Sequence, residues 1–462
     1  MIDVQLSLLA EVLDAELVGD DVLISAVSTD TRQIEAKTLF IALIGERFDA
    51  HDFCLNAHEN GAAALLVSRR LPIDLPQLIV ADTHTALGQL GAWLKAEIEQ
   101  HFGLQTLALT GSCGKTTVKE MVAAILAQKG KVLATAGNFN NDIGVPLTLL
   151  RLEPKHDFAV VELGANHPNE IAYTTKLVKP QVALINNLAA AHLEGFGSLD
   201  GVAKAKGEIF EGLTAHGQQA TAIINLDSNA IDHWQPLLAE HRVVTFSAEQ
   251  DQADFSAEDI IINSLGRACF TMRTPVTTFP VSLTLAGRHN VANALAAAAM
   301  ATAVGATPEQ IQAGLSSVAN VKGRVDVTEP RANLRLVDDT YNASVASVKA
   351  AIDLLAGYAG QRWLVLGDMA ELGDDSAALH REVAEHASGR GLDQILTVGK
   401  ASQVVSALNG GRHFDNKVAL IETLKQQLDP LLNEDNTQVT VLAKGARSSR
   451  MEDVIAALQE HK

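Results

Sequence analysis

Short apolar runs rich in Val, Ile, Leu and Ala alternate along most of the chain with longer stretches whose apolar residues recur every three or four positions. The first pattern suits buried strands and the second amphipathic helices, with Gly- or Asn-rich turns between them. Strand-then-helix repetition predicts α/β layers with parallel sheets. Three blocks emerge. Residues 1–84 form a small mixed α/β unit, with strands expected at Thr38–Leu43, Ala63–Val67 and Leu78–Ala81. Residues 85–320 open with a helix near Ala86–Glu99 and carry strands at Thr106–Thr110, Phe158–Leu163, Val182–Asn186 and Ala222–Asn225. Residues 321–462 carry strands at Arg335–Val337, Trp363–Leu366, Gln394–Val398 and Val439–Leu442. The last block reads as a second, smaller, Rossmann-like doubly wound sheet.

The length of 462 residues agrees with about three domains at roughly 150 residues each. Aromatics are only 4% of the chain, so the cores fall to aliphatic side chains. The formal charge of −19 argues against a nucleic-acid partner, which would need a basic face. It leaves room for anionic small molecules, because a few local cations or a metal reverse the field inside a cleft. Cys54, Cys113 and Cys269 are far apart, which speaks against a disulfide framework or a thiolate zinc site. The start, Met1-Ile2-Asp3, lacks a basic and then apolar leader. The most apolar stretch, Val291–Ala306, contains Asn293 and falls short of the roughly 20 residues of a spanning helix. The expectation is a cytoplasmic, monomeric protein with no membrane insertion.

The most informative stretch is Leu107-Ala-Leu-Thr-Gly-Ser-Cys-Gly-Lys-Thr-Thr117. An apolar strand runs into a glycine turn, and a helix follows with Val118, Val122, Ile125 and Leu126 on one face. Gly111, Ser112, Cys113 and Gly114 supply backbone N–H groups that can curl around phosphate oxygens at a helix N-terminus. Lys115 adds a point charge for the β- and γ-phosphates, and the hydroxyls of Thr116 and Thr117 follow, the first placed to ligate Mg²⁺. The usual phosphate-loop spacing would put a first glycine at position 109, where this chain has Leu109. Cys113 is either a small loop residue or a thiol activated by the helix end. The central block is therefore expected to be a P-loop ATPase-like parallel sheet with helices.

Ligands of open parallel sheets bind beyond the carboxyl ends of the strands, and polar residues gather there. Glu162 ends one strand, in the position of a magnesium carboxylate. Asn186-Asn187 ends another and leads to His192. Asn138 and Asn140 lie in a polar loop after the phosphate-loop helix. Lys204 and Lys206 lie on an expected helix, where most lysines are solvated. Asn290 and Asn293 are three apart on one helix face and either read a purine edge or cap the helix. Asp339 ends the first strand of the third block, where carboxylates often hold a ribose hydroxyl.

Together these residues resemble the Mur ligases, ATP-dependent amide-forming enzymes of peptidoglycan precursor synthesis, over nearly the whole chain. The segments Ser28–Arg32, Phe40–Phe53, Gly137–Leu147, Glu162–His167 and Leu366–Gly373 followed by His380 are most similar to the member that joins D-alanyl-D-alanine to UDP-N-acetylmuramoyl-tripeptide. The resemblance implies ATP and two Mg²⁺ ions as cofactors, with Lys115 and Thr116 at the γ-phosphate and Glu162 and His192 at the metals. Lys206 matches a position that is carbamylated in related ligases, which would make it a carboxylate for the second Mg²⁺. Asn290, Asn293, Arg324 and Asp339 would hold adenine, ribose and phosphates. Ser28, Arg32, Arg47, Asn138 and Asn140 would face the UDP-sugar, and Asn342, Lys444, Arg447 and Ser448 the incoming dipeptide. The activity implied passes through an acyl phosphate. The alternatives are a sibling ligase adding another amino acid, a folylpolyglutamate synthase, a P-loop ATPase acting as a conformational switch, and a non-catalytic nucleotide-binding module.

Overall fold

The computed structural model describes residues 2–189, 193–215, 219–228, 231–433 and 437–460. Strand β1 (Gln105–Thr110) is buried from Thr106 onward, as a strand covered on both faces must be. It lies between β2 (Phe158–Glu162) and β3 (Val182–Ile185), and β3 pairs with β4 (Thr221–Asn225), all in parallel. The chain reaches β2 through the edge strand Val132–Ala134 and then crosses to β3 on the far side of β1. That reversal at β1 opens a crevice at the carboxyl ends of the strands.

The sheet continues past β4 through Arg242–Ser247, Phe255–Ile262, Arg267–Arg273 and Thr278–Ala286, the last three forming an antiparallel ribbon, for nine strands in all. The ribbon was not among the strands expected from the sequence, although Thr278–Ala286 alternates in burial along its length. One face of the sheet is covered by α1 (Lys115–Leu126) and α3 (His289–Ala303), whose interior from Ala294 to Ala301 is entirely buried. Alanine methyls let these helices approach closely at little entropic cost. On the other face lie α2 (Leu199–Gly207) and the helix Thr83–Phe102, longer at both ends than its apolar spacing suggested. Leu87, Leu90, Leu94 and Ile98 of that helix share one core with Leu6, Leu9, Ile41 and Leu66. Those partners belong to the N-terminal unit, a five-stranded sheet ordered Glu16–Val18, Gln77–Ile79, Ala64–Val67, Thr38–Ile41, Ala26–Ser28.

The C-terminal sheet has six strands. Its centre is β5 (Leu334–Asp339), β8 (Val439–Lys444), β6 (Gln361–Leu366) and β7 (Gln394–Val398) in that spatial order, all parallel. Helix α4 (Val345–Ala356) starts at a capping box in which Ser344 and Ser347 exchange hydrogen bonds, satisfying its first free N–H groups. No described helix is long and apolar enough to cross a membrane. The arrangement is α/β throughout, with a mainly parallel sheet in each of the three units and antiparallel pairing at one edge of each.

Candidate active site

β1 delivers the chain into the turn at Gly111 and α1 leaves it. Gly114 has φ 78°, and a Cβ there would lie 2.7 Å from both Asn186 Nδ2 and Asn293 Oδ1. Backbone conformation and space both therefore demand glycine. The loop is tied to the end of β3. The Cys113 N–H donates to Asn187 Oδ1 at 2.8 Å, and the side-chain amides of Asn186 and Asn187 both donate to the Cys113 carbonyl at 3.0 Å. Ser112 bonds the Asn187 and Ala189 carbonyls. These bonds are made before any ligand arrives, so the cradle needs little reorganisation on binding. Lys115 Nζ folds back to donate to the Gly111 carbonyl at 2.8 Å. Burial pulls its pKa below the ordinary lysine range, with Glu162 acting in the opposite direction.

Glu162 ends β2 and is 2% exposed. Its two oxygens accept from the Thr116 hydroxyl at 3.1 Å and from Asn140 Nδ2 at 2.8 Å. On α3, Asn290 donates to the Ala286 carbonyl, Asn293 to Asn290 Oδ1, and Asn186 to Asn293 Oδ1. This relay of amides leaves Asn186 Oδ1 buried with no hydrogen-bond partner, an acceptor at the wall of the crevice.

The opposite wall comes from the C-terminal unit. Asp339 and Lys444 end adjacent strands in register, and Lys444 Nζ donates to Asp339 Oδ2 at 2.6 Å and to the Asn342 carbonyl at 2.9 Å. The Arg324 guanidinium lies 4.1 Å above the Tyr341 ring centre. The walls touch where Cys113 Sγ meets the Ser344 hydroxyl at 3.2 Å. Between them is a cavity of about 590 Å³, lined by Ser112–Thr117, Asn138, Asn140, Glu162, Asn290, Asn293, Arg324, Asp339, Asn342 and Lys444. That is the size of a small-molecule site.

Lys206, on α2, is 1% exposed, with Nζ 5.7 Å from the Phe196 ring centre. Burial first, then repulsion from Lys115, brings its pKa down to about 7. A separate groove of about 360 Å³ lies in the N-terminal unit, walled by Thr29–Arg32, Phe40, Phe48, Ala50 and Phe53. Ser28 donates to the Asp30 carbonyl at its edge, and Arg32 pairs with Asp30 at 2.8 Å. That guanidinium holds the Asp30 carboxyl down at about 2.

Two family models match the chain, the Mur ligase middle domain over residues 109–301 and the Mur ligase glutamate ligase domain over residues 323–447. A UDP-N-acetylmuramoyl-tripeptide–D-alanyl-D-alanine ligase from Escherichia coli (strain K12) is 53% identical, covering 100% of this chain and 99% of that relative. The chain belongs to the Mur ligase family. A crystal structure of MurF from Acinetobacter baumannii superposes on this ligase with a TM-score of 0.93 at 36% identity, covering 100% of this chain and 99% of the other. A MurF ligase from Thermotoga maritima in complex with ADP gives 0.81 at 26% identity, covering 94% and 97%.

Most of the residues read from the ligase's sequence converge on one cavity, with some differences of place. Gly111 forms the turn beneath it rather than its lining, and Lys206 sits behind the wall. Asn138 and Asn140, expected to face a UDP-sugar, line the central cavity, and Asn140 is bonded to Glu162. Arg447 is exposed, pairs with Glu452 at 2.8 Å and does not line the cavity. Arg47 is exposed and outside the N-terminal groove lining. His192 lies outside the described residues. Ser344 and Glu371 line the cavity and were not singled out in the sequence. Asn186 and Asn187 were seen only as a strand end, although that position was itself the signal.

Proposed function

We propose that this Mur ligase joins D-alanyl-D-alanine to UDP-N-acetylmuramoyl-tripeptide with ATP, giving the pentapeptide precursor of peptidoglycan. The observation that carries the reading is the prebuilt phosphate loop facing a second domain across one cavity. It stands beside full-length likeness to a ligase of that name at 53% identity. ATP use is supported by the likeness to a MurF structure that holds ADP.

A carboxylate resists attack by an amine because of its charge and resonance. In this reading the terminal carboxylate of the tripeptide attacks the γ-phosphorus of ATP, giving an acyl phosphate and ADP. The amine of D-alanyl-D-alanine then attacks the acyl carbon and orthophosphate leaves. Both partners of the first step are anionic, so Lys115 and the loop N–H groups supply the stabilisation that the acidic chain as a whole does not. The Asn186–Asn293–Asn290 relay and Arg324 face the nucleotide, and the N-terminal groove takes the UDP end, with the exposed Phe48 and Phe53 offering apolar surface to a base.

Magnesium fits the donors present. Among the described residues no three or more His, Cys, Asp or Glu are grouped to cage a metal. Mg²⁺, however, ordinarily uses one or two protein oxygens with phosphates and waters, and the Thr116–Glu162 pair provides that. Bound there, the ion would neutralise phosphate charge. Lys206, neutral for much of its time near pH 7, is the amine form that CO₂ adduction requires, and the carbamate would supply a further metal carboxylate. ATP and UDP-sugars are cytoplasmic metabolites, which is where this reading puts the enzyme. Phosphate release with ATP, the UDP-tripeptide and a panel of amino acids and dipeptides tests the assignment. Turnover confined to D-alanyl-D-alanine is expected, and turnover with another acceptor or with none overturns it.

A further inference from the structure

Resting on the reading above, in which the N-terminal groove takes the UDP end, we infer that His51 is a positioning residue that holds the aromatic rim of that groove in place for the base. Phe48 and Phe53 are 57% and 47% exposed, over a floor of buried Phe40 and Ala50. Phe48 precedes and Phe53 ends a single 3₁₀ turn, Ala50–Phe53. Exposed rings on so short an element hold a base well only where little ordering is left to do on binding. The turn is tied to its own strand by the Ala50 N–H, which donates to the Leu43 carbonyl at 2.9 Å. His51 is the side chain that ties it to the next strand, Ala64–Val67, the parallel neighbour of Thr38–Ile41.

The ring is 4% exposed, and a polar ring so buried is costly unless both nitrogens are paired. Nε2 accepts the Ser68 N–H at 2.9 Å, just past the end of Ala64–Val67. The one proton of the neutral ring therefore sits on Nδ1, which donates to Asp49 Oδ1 at 2.5 Å. The same oxygen accepts the His51 N–H at 2.9 Å and so caps the turn, while Asp49 Oδ2 accepts from Arg69 at 2.9 Å. Asp49 and His51 on the loop and Ser68 and Arg69 on the strand end thus close a ring of bonds between Phe48 and Phe53. The order Asp–His–Ser is also that of a hydrolase triad. Here the Nε2 lone pair is filled by a backbone N–H and the imidazole side chain is 0% exposed, so the ring cannot take a proton from the Ser68 hydroxyl, 3.2 Å away. What the arrangement does is fix the loop, and what the loop presents is the aromatic rim.

The test is steady-state kinetics on the full-length enzyme. The double variant Phe48→Ala/Phe53→Ala sets the scale and should raise KM for the UDP-tripeptide about 10-fold or more. His51→Phe, which fills the space but pairs with neither Asp49 nor Ser68, should raise the same KM about 5- to 10-fold. Its kcat and its KM for ATP and for D-alanyl-D-alanine should stay within about twofold. His51→Gln, which keeps an amide donor and a carbonyl acceptor, should recover most of the loss. Asp49→Ala breaks the ring of bonds from a partly exposed position and reports the same rise should His51→Phe fold poorly. An unmoved KM for the UDP-tripeptide in Asp49→Ala or in folded His51→Phe, an equal rise in KM for ATP, or equal losses in His51→Gln and His51→Phe overturns the inference. If Phe48→Ala/Phe53→Ala itself leaves that KM unchanged, the assignment of the groove fails instead, so the two failures are distinct.

Discussion

Two lysines, each at most 2% exposed, sit near the same cavity in opposite circumstances. Lys444, at the end of β8, is met by the Asp339 carboxylate and the Asn342 carbonyl. Lys206, on α2, meets the face of Phe196 and the repulsion of Lys115, and its pKa falls to about 7. A buried ammonium with an anion in contact serves the architecture. One without such compensation tends to discharge, and a neutral amine is a nucleophile. Lys95 and Lys119, equally buried, follow the first pattern, donating to Glu99 and to the Thr135 carbonyl. Of these four, Lys206 is the one whose pKa comes down to about 7, and groups perturbed in this way often mark function.

The sharpest way to break this comparison is to remove each lysine and follow turnover and stability separately. Lys206→Met should lose activity by roughly 10²–10³-fold or more, as should Lys115→Ala, in a phosphate-release assay. Yet Lys206→Met should melt no lower than wild type. The folded pKa of Lys206, about 7, is below the ordinary 10.5. The unfolded chain therefore binds the extra proton, and burying the amine costs stability that grows as pH falls from about 10 to 7. By the same sign, wild-type kcat should fall as pH drops through about 7, and rescue of Lys206→Ala by a short carboxylate should be flat across that range. Equal melting losses for both lysine variants would erase the distinction.

Lys444→Met should do the reverse. Stranding Asp339 predicts about 3–5 kcal/mol of destabilisation by urea titration, largely recovered in the double variant Lys444→Met/Asp339→Asn. Next in size, Asn140→Ala frees one oxygen of Glu162 and should raise the magnesium requirement roughly 10-fold, leaving KM for the UDP-tripeptide unchanged. A rise in that KM alone would return Asn140 to the sugar. The smallest effect belongs to Arg47→Ala. Exposed and outside both cavities, it should move no kinetic constant by more than about twofold, since surface changes of this kind stay within about 0.5 kcal/mol.

Much of this was legible in the chain because two local rules do not depend on distant contacts. A glycine turn between an apolar strand and an amphipathic helix announces a phosphate loop, and polar residues at strand ends announce the crevice. Glu162 and Asp339 were found in this way, and Asn290 and Asn293 from their three-residue spacing on one helix face. What escaped were pairings made by tertiary assembly. Asp339 and Lys444 lie over a hundred positions apart and meet only because β8 inserts between β5 and β6. Asn140 reads as a turn former until Glu162 is placed beside it. The antiparallel ribbon Phe255–Ala286 did carry a signal, the period-two alternation of Thr278–Ala286, but the helix-then-strand rhythm dominated the reading.

The helix Thr83–Phe102 belongs to two neighbourhoods at once, since its leucines seal the N-terminal sheet and the underside of the central one. The C-terminal unit keeps cores of its own. Cooperativity follows continuity of packing rather than a count of sheets. Calorimetry should therefore record two endotherms for these three units, with the N-terminal and central units melting as one.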